Sequence, residues 1–190
     1  MKRRRLLLTL GVLVALGGLA YANRYPLEHA IMSRMHGMGM DHIGGIGIGH
    51  MFKGVDTTPE EEDELRAMFE GHTQITRSVE NLPNGIRTVT EASNPDLRDK
   101  LVTHVIGMID RVDQGRDPKV TIQSLTLDVL FKNRALITTA MDPTETGIII
   151  TQTSDDAETV AALQKHAAEV SDLAARGIVS AQEAMMTRGH

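Results

Sequence analysis

One stretch decides how this chain folds: Ser93-Asn-Pro-Asp-Leu-Arg-Asp-Lys-Leu-Val-Thr-His104-Val-Ile-Gly-Met-Ile-Asp-Arg-Val-Asp-Gln-Gly115. Its large apolar side chains recur at steps of three and four residues, which is the spacing of one face of an α-helix. Ser93 or Asn94 can cap the first free amide groups, Pro95 suits the first turn, and Gly115 suits the end. The stretch therefore predicts one long helix, with His104 at the edge of its apolar face.

The same pattern returns 62 residues later in the chain. Equivalent pairs include Phe69 and Phe131, Gly85 and Gly147, Leu101 and Leu163, His104 and His166, Asp110 and Asp172, and Gly115 and Gly177. A constant offset over so long a stretch indicates an internal duplication. We therefore expect two equivalent halves, residues 58–117 and 118–179, followed by a tail of residues 180–190.

Each half has the pattern helix, strand, strand, helix. In the first half Thr58 and Pro59 begin a helix, and the segments His72–Leu82 and Gly85–Ala92 predict a hairpin because Asn84-Gly85 favours a tight turn. The acidic run from Glu60 to Glu64 is typical of a solvated helix start.

The second half predicts a matching set of elements. Its hairpin comprises Ala135–Met141 and Gly147–Thr153, and its helices cover Ile122–Asn133 and the residues from Asp155 to Gly177. A short helix is expected over Ser180–Thr187. The predicted fold class is α+β: a tandem αββα duplication that forms a four-stranded antiparallel sheet, covered by helices on one face.

Composition limits the classes of function. The chain has no cysteine, which excludes disulfides, thiolate metal sites, iron–sulfur clusters and covalently attached c-type haem. Aromatic residues make up only 3%, and the formal charge is −5, so both stacking surfaces and a basic face are scarce. These features argue against a nucleic-acid partner and leave methionine as the only soft metal donor.

Residues 1–22 have the three parts of a secretory leader. A basic start, Lys2-Arg-Arg-Arg5, precedes an apolar run and the small-x-small cleavage signal Ala20-Tyr21-Ala22. We expect a signal peptide, with a signal anchor in the inner membrane as the alternative. Membrane contact would then come only through an uncleaved leader, and the remaining chain would be periplasmic.

Residues 23–57 predict a flexible arm rich in methionine, histidine and glycine, because so many glycines disfavour a stable helix. Thioether sulfur prefers Cu(I) and imidazole accepts copper or zinc, so the arm is a candidate copper site. The candidate ligands are Met32, Met35, His36, Met38, Met40, His42, His50 and Met51. The competing interpretation is a low-complexity linker whose methionines face a lipid or a protein.

The run Met32-Ser-Arg-Met35-His36-Gly-Met38-Gly-Met40-Asp-His42 resembles the Met/His-rich stretches of bacterial periplasmic copper-resistance and copper-handling proteins. The resemblance covers this part of the arm alone, and it implies copper binding.

The paired histidines are further candidate ligands. A local two-fold axis would relate His104 to His166, so the two imidazoles could bind copper, aided by Met108, or could hold b-type haem from both sides. The structural alternative is that both rings only pack at the edge of the core.

No residue pattern indicates a catalytic site, so we expect a protein that is not an enzyme. The sequence predicts a periplasmic metal-binding protein, most simply for copper. The alternatives are a non-catalytic module that binds a protein of the cell envelope, and a haem-b protein that uses His104 and His166.

Overall fold

The structure is a computed structural model that describes residues 48–188. The elements follow the chain in this order: α1 (Ile48–Met51), α2 (Pro59–Glu70), β1 (Ile75–Leu82), β2 (Gly85–Ala92), α3 (Pro95–Gln114), α4 (Thr126–Lys132), β3 (Thr138–Pro143), β4 (Gly147–Thr153), α5 (Ala157–Arg176) and α6 (Ile178–Arg188). A single 3-10 turn precedes β1 and another precedes β3. The predicted α+β class and its four-stranded antiparallel sheet are confirmed.

The helix starts follow from local capping chemistry. The Thr58 hydroxyl accepts from the Glu61 amide, and the Glu61 carboxylate accepts from the Thr58 amide, so α2 begins with a capping box. Asn94 caps α3 and Asp156 caps α5 through the same type of side-chain acceptor. The long helix predicted between Ser93 and Gly115 is therefore confirmed within one or two residues at each end.

The sheet has the strand order β1-β2-β4-β3, so the second strand of each hairpin lies at the centre. Thr88 faces Ile150, which is its equivalent 62 residues later. Moving outward, Ile86 faces Gln152 and Thr90 faces Ile148. The register is thus symmetric about the Thr88–Ile150 pair, as a local two-fold axis requires. A duplication as the origin of this symmetry stays a prediction.

The core mixes the two halves. In one cluster α3 of the first half packs on β4 of the second; its buried members are Leu101, Val102, Ile148 and Ile150. In the other cluster α4 and α5 of the second half pack on β2 of the first; its buried members are Ile86, Leu130, Ala162, Leu163 and Ala167. Each hairpin is therefore covered mainly by helices of the opposite half.

The folded domain begins before Thr58. Met51 and Phe52 are buried, and the Phe52 ring lies 5.3 Å from the ring of Phe69 on α2, measured between centroids. Residues 48–57, which the sequence assigned to the arm, pack on the domain because this apolar pair is anchored there. The remainder of the predicted arm lies outside the described residues.

Other boundaries also differ from prediction. The third strand is Thr138–Pro143 and not Ala135–Met141, because Arg134–Leu136 forms a 3-10 turn. The first strand begins at Ile75 because His72–Gln74 forms a 3-10 turn. The helix expected over Ile122–Asn133 is only Thr126–Lys132. The helix α6, Ile178–Arg188, begins before the predicted tail and occupies most of it.

Candidate metal site

His104 lies midway along α3, where α3 packs against α2. Its side chain is 18% exposed, as expected for the edge of an apolar face. The nearest carboxylate is that of Glu64 on α2, with 3.9 Å between His104 Nδ1 and Glu64 Oε2. This distance is too long for a hydrogen bond. The two titratable groups nevertheless share one buried interface.

Burial acts on the two groups in opposite ways. Burial raises the pKa of Glu64 to about 7, and the nearby carboxylates of Glu61 and Asp63 add to the rise. Burial lowers the pKa of His104 to about 4, although the Glu61 carboxylate opposes this change. At neutral pH the imidazole is uncharged and keeps the lone pair with which it could bind a metal ion.

A cavity of about 20 Å³ opens beside these groups. Glu64, His104, Gly107 and Met108 line it from the two helices, and Pro118 and Val120 line it from the connection between the halves. This volume suits about one water molecule or one ion. The lining therefore includes a glutamate, a histidine and a methionine around a space for a single small occupant.

Gly107 keeps part of this space open. It lies in the interior of α3, where glycine costs helix stability relative to alanine. A Cβ atom at this position would meet nothing within 4 Å, so packing does not require glycine here. The missing side chain at Gly107 therefore leaves space in the cavity and does not serve a close contact between helices.

Arg111 holds the side of the cavity near the start of α2. Its guanidinium group donates to both carboxylate oxygens of Glu61 at 2.6 and 2.8 Å and to Asp56 Oδ1 at 2.5 Å, and its side chain is only 3% exposed. Burial raises the pKa of Glu61, but the hydrogen bonds from Arg111 and from the Thr58 amide outweigh it and lower the pKa. A fully charged pair therefore fixes α2 against α3.

The segment that precedes α2 also reaches the cavity wall. The Val55 amide donates to the Pro118 carbonyl at 2.7 Å, and the Thr121 amide donates to the Lys53 carbonyl at 3.2 Å. Because Pro118 and Val120 line the cavity, these bonds hold the wall in place. The cavity thus lies where residues 48–57 join the domain.

His166 has a different environment on α5. Its Nδ1 atom is 3.8 Å from Oε2 of Glu169. This nitrogen atom is buried and has no hydrogen-bond partner in the described part of the chain. Glu169 accepts from the hydroxyl groups of Ser124 at 2.5 Å and Thr126 at 2.9 Å. Burial raises the pKa of Glu169, but the His166 ring and these two hydroxyl groups outweigh it and lower the pKa to about 2.

The carboxylate beside each histidine comes from a different helix. At the offset of 62, Glu64 corresponds to Thr126 and Gly107 corresponds to Glu169. In the first half the carboxylate therefore comes from α2, and α3 has a glycine at the equivalent of Glu169. In the second half the carboxylate comes from α5, and α4 has Thr126 at the equivalent of Glu64. Val170 also stands where Met108 stands, so only the His104 side has a sulfur donor at this point.

The structure separates the predicted ligands into three groups. Met32, Met35, His36, Met38, Met40 and His42 lie outside the described residues. His50 is exposed on α1, whereas Met51 is buried with Phe52. His104 and His166 face different carboxylates, and His166 is not among the residues that line the His104 cavity.

The donor set can be tested against the proposed groups. Within residues 48–188, no three His, Cys, Asp or Glu side chains come together in a metal-binding arrangement. With Met108 included, His104, Glu64 and Met108 line one cavity. Imidazole and thioether are ligands that Cu(I) accepts, whereas a carboxylate suits harder ions. A porphyrin does not fit the space of about 20 Å³ beside His104. Haem binding between His104 and His166 stays a prediction.

Comparisons of the chain with protein-family models, with curated proteins and with solved structures find no match. Across residues 48–188 no helix has the length and apolar character needed to span a membrane.

The sequence analysis missed three residues of this site: Glu64, Gly107 and Arg111. Glu64 was placed in a solvated acidic run, but it is 7% exposed, so that interpretation is wrong for this residue. The sequence did carry one signal. When the two halves are aligned at the offset of 62, Glu64 aligns with a residue that has no carboxylate, and Gly107 aligns with Glu169.

Proposed function

We propose that this is an exported metal-binding protein that handles copper, taken up as Cu(I) by the Met/His-rich arm. The observation that carries the proposal is the concentration of sulfur and imidazole donors between Met32 and His50 in a chain without cysteine. Thioether sulfur selects Cu(I), and it avoids the disulfide formation that would remove thiols in an oxidising compartment. The folded domain adds a cavity lined by His104 and Met108.

The test replaces Met35, Met38 and Met40 by leucine in the chain that follows the leader. We expect the apparent affinity for Cu(I) to fall by about tenfold or more, because leucine keeps the volume of methionine but removes the sulfur donor. The measurement is a titration under anaerobic conditions in competition with a coloured Cu(I) chelator.

The matched control replaces Met141 and Met186, which are exposed on the domain, by leucine. This variant should bind Cu(I) like the unmodified protein. Equal affinity for the arm variant and the unmodified protein would remove the arm from copper binding. Its methionines would then be better explained as contacts to a protein of the cell envelope.

A further inference from the structure

The strongest unassigned feature of the domain is the cavity between α2 and α3. Its lining includes three residues that carry possible metal donors, His104, Met108 and Glu64, beside the ion pair of Arg111 and Glu61. His104 and Met108 are four residues apart on α3 and so lie on one face of the helix. Glu64 approaches from α2 on the opposite wall.

The size of the cavity agrees with one ion. About 20 Å³ accommodates a single small occupant but not an organic cofactor. A Cβ atom placed at Gly107 would meet no atom within 4 Å, so the space beside this position is open. The equivalent position on α5 carries Glu169, whose carboxylate is already occupied by Ser124 and Thr126. The two halves therefore differ where a ligand would bind.

The walls of the cavity are held in position before any ion binds. The bidentate pair between Arg111 and Glu61 fixes the start of α2 against α3. The bond from the Val55 amide to Pro118 fixes the wall that comes from the connection between the halves. A preorganised site loses less free energy in ordering its ligands when it binds an ion.

We propose that the first half of the domain contains a second, internal copper site in which His104 and Met108 bind one Cu(I) ion beside Glu64. This inference rests on the proposed function only for the choice of metal. Repeat symmetry does not give a matching site at His166, because Val170 provides no donor and Glu169 has other partners. The internal site lies where residues 48–57 join the domain.

The test uses the whole exported chain and three single variants: His104→Gln, Met108→Leu and His166→Gln. We expect His104→Gln and Met108→Leu each to lower the amount of tightly bound Cu(I) by about one ion per chain. His166→Gln is the matched control from the second half and should leave the amount unchanged. Met108→Leu nearly conserves volume, so it tests the site even if His104→Gln impairs folding.

A second readout follows the imidazole rings directly. In NMR spectra of the unmodified protein, Cu(I) should shift the ring signals of His104 and leave those of His166 in place. Unchanged copper content in Met108→Leu, or equal shifts of both rings, would overturn the internal site.

The triple leucine variant of the arm separates this proposal from the previous one. If copper handling by the arm fails, that variant binds like the unmodified protein. If the internal site fails, His104→Gln and Met108→Leu have no effect whether the arm is intact or replaced. The two failures therefore give different patterns.

Discussion

Burial in the same interface favours the uncharged forms of both Glu64 and His104, and this has opposite effects on the pH dependence of stability. The pKa of Glu64 rises from 4.5 to about 7 on folding, so its contribution is lost as the pH rises through that window. The pKa of His104 falls from 6.5 to about 4, so its contribution is lost as the pH falls through that window. The two trends oppose each other between pH 4.5 and 6.5.

Single variants of the metal-free protein should separate the two trends. In His104→Gln, Glu64 is the only member of this pair that still titrates. The free energy of unfolding should then fall by about 3 kcal/mol as the pH rises from 4.5 to about 7. In Glu64→Gln, His104 is the only member of this pair that still titrates. The free energy of unfolding should then rise by about 3 kcal/mol as the pH rises from about 4 to 6.5. Urea unfolding at a series of pH values measures both.

The unmodified protein serves as the control, and its stability should change less with pH than that of either variant. Two variants with the same direction of pH dependence would contradict the opposite effects of burial on the two groups.

Sequence reasoning at the residue scale reached His104 but not its neighbours. The spacing along one helix placed His104 at the edge of the core, and the structure confirms that position. Glu64 could not be assigned in this way because its burial depends on how α2 and α3 pack, and an acidic run at a helix start is ordinarily solvated. Contacts between helices belong to the tertiary structure, which a local sequence pattern does not specify.

At the scale of elements, α3 carries a glycine that neither its backbone nor its packing requires. Gly107→Ala should stabilise the metal-free protein by about 1 kcal/mol, because alanine favours the helix and its Cβ meets no atom within 4 Å. Thermal unfolding monitored by circular dichroism checks this expectation.

The control is Gly147→Ala in β4. A Cβ there would lie 2.0 Å from the carbonyl oxygen of Thr90 on β2, so this variant should be strongly destabilised. A lower melting temperature for Gly107→Ala would show that the open space beside it does not accept even a methyl group.

Element boundaries show what local chemistry can predict. The starts of α2, α3 and α5 could be predicted because Thr58, Asn94 and Asp156 are capping residues. The end of α3 could be predicted because Gly115 readily adopts the left-handed conformation found there. The short turns before β1 and β3 were missed because a single 3-10 turn has no apolar periodicity to detect. The place of residues 48–57 was missed because the burial of Phe52 depends on Phe69, which is distant in the sequence.

At the scale of the whole molecule, the interleaved core predicts that neither half folds alone. Residues 58–117 lose the helices that cover β2, and residues 118–179 lose α3, which covers β4. Separate halves should therefore be unfolded as monomers, or folded only as dimers in which a second copy replaces the missing half. Circular dichroism combined with light scattering distinguishes these states.

A folded, monomeric half with a cooperative thermal transition would contradict this account of the core. The full-length chain, measured at the same concentration, is the control. The repeat in the sequence predicted two equivalent halves and one sheet, but the packing of each helix set on the opposite hairpin depends on strand order, which the repeat alone does not specify.

The central claim is the proposed copper binding, and its most direct test is the anaerobic Cu(I) titration of the chain from residue 23 onward. We predict that the protein withdraws Cu(I) from a competing chelator, with saturation at a defined number of ions per chain. A protein that withdraws no Cu(I) at any chelator strength would contradict the claim and leave only the symmetric α+β domain established.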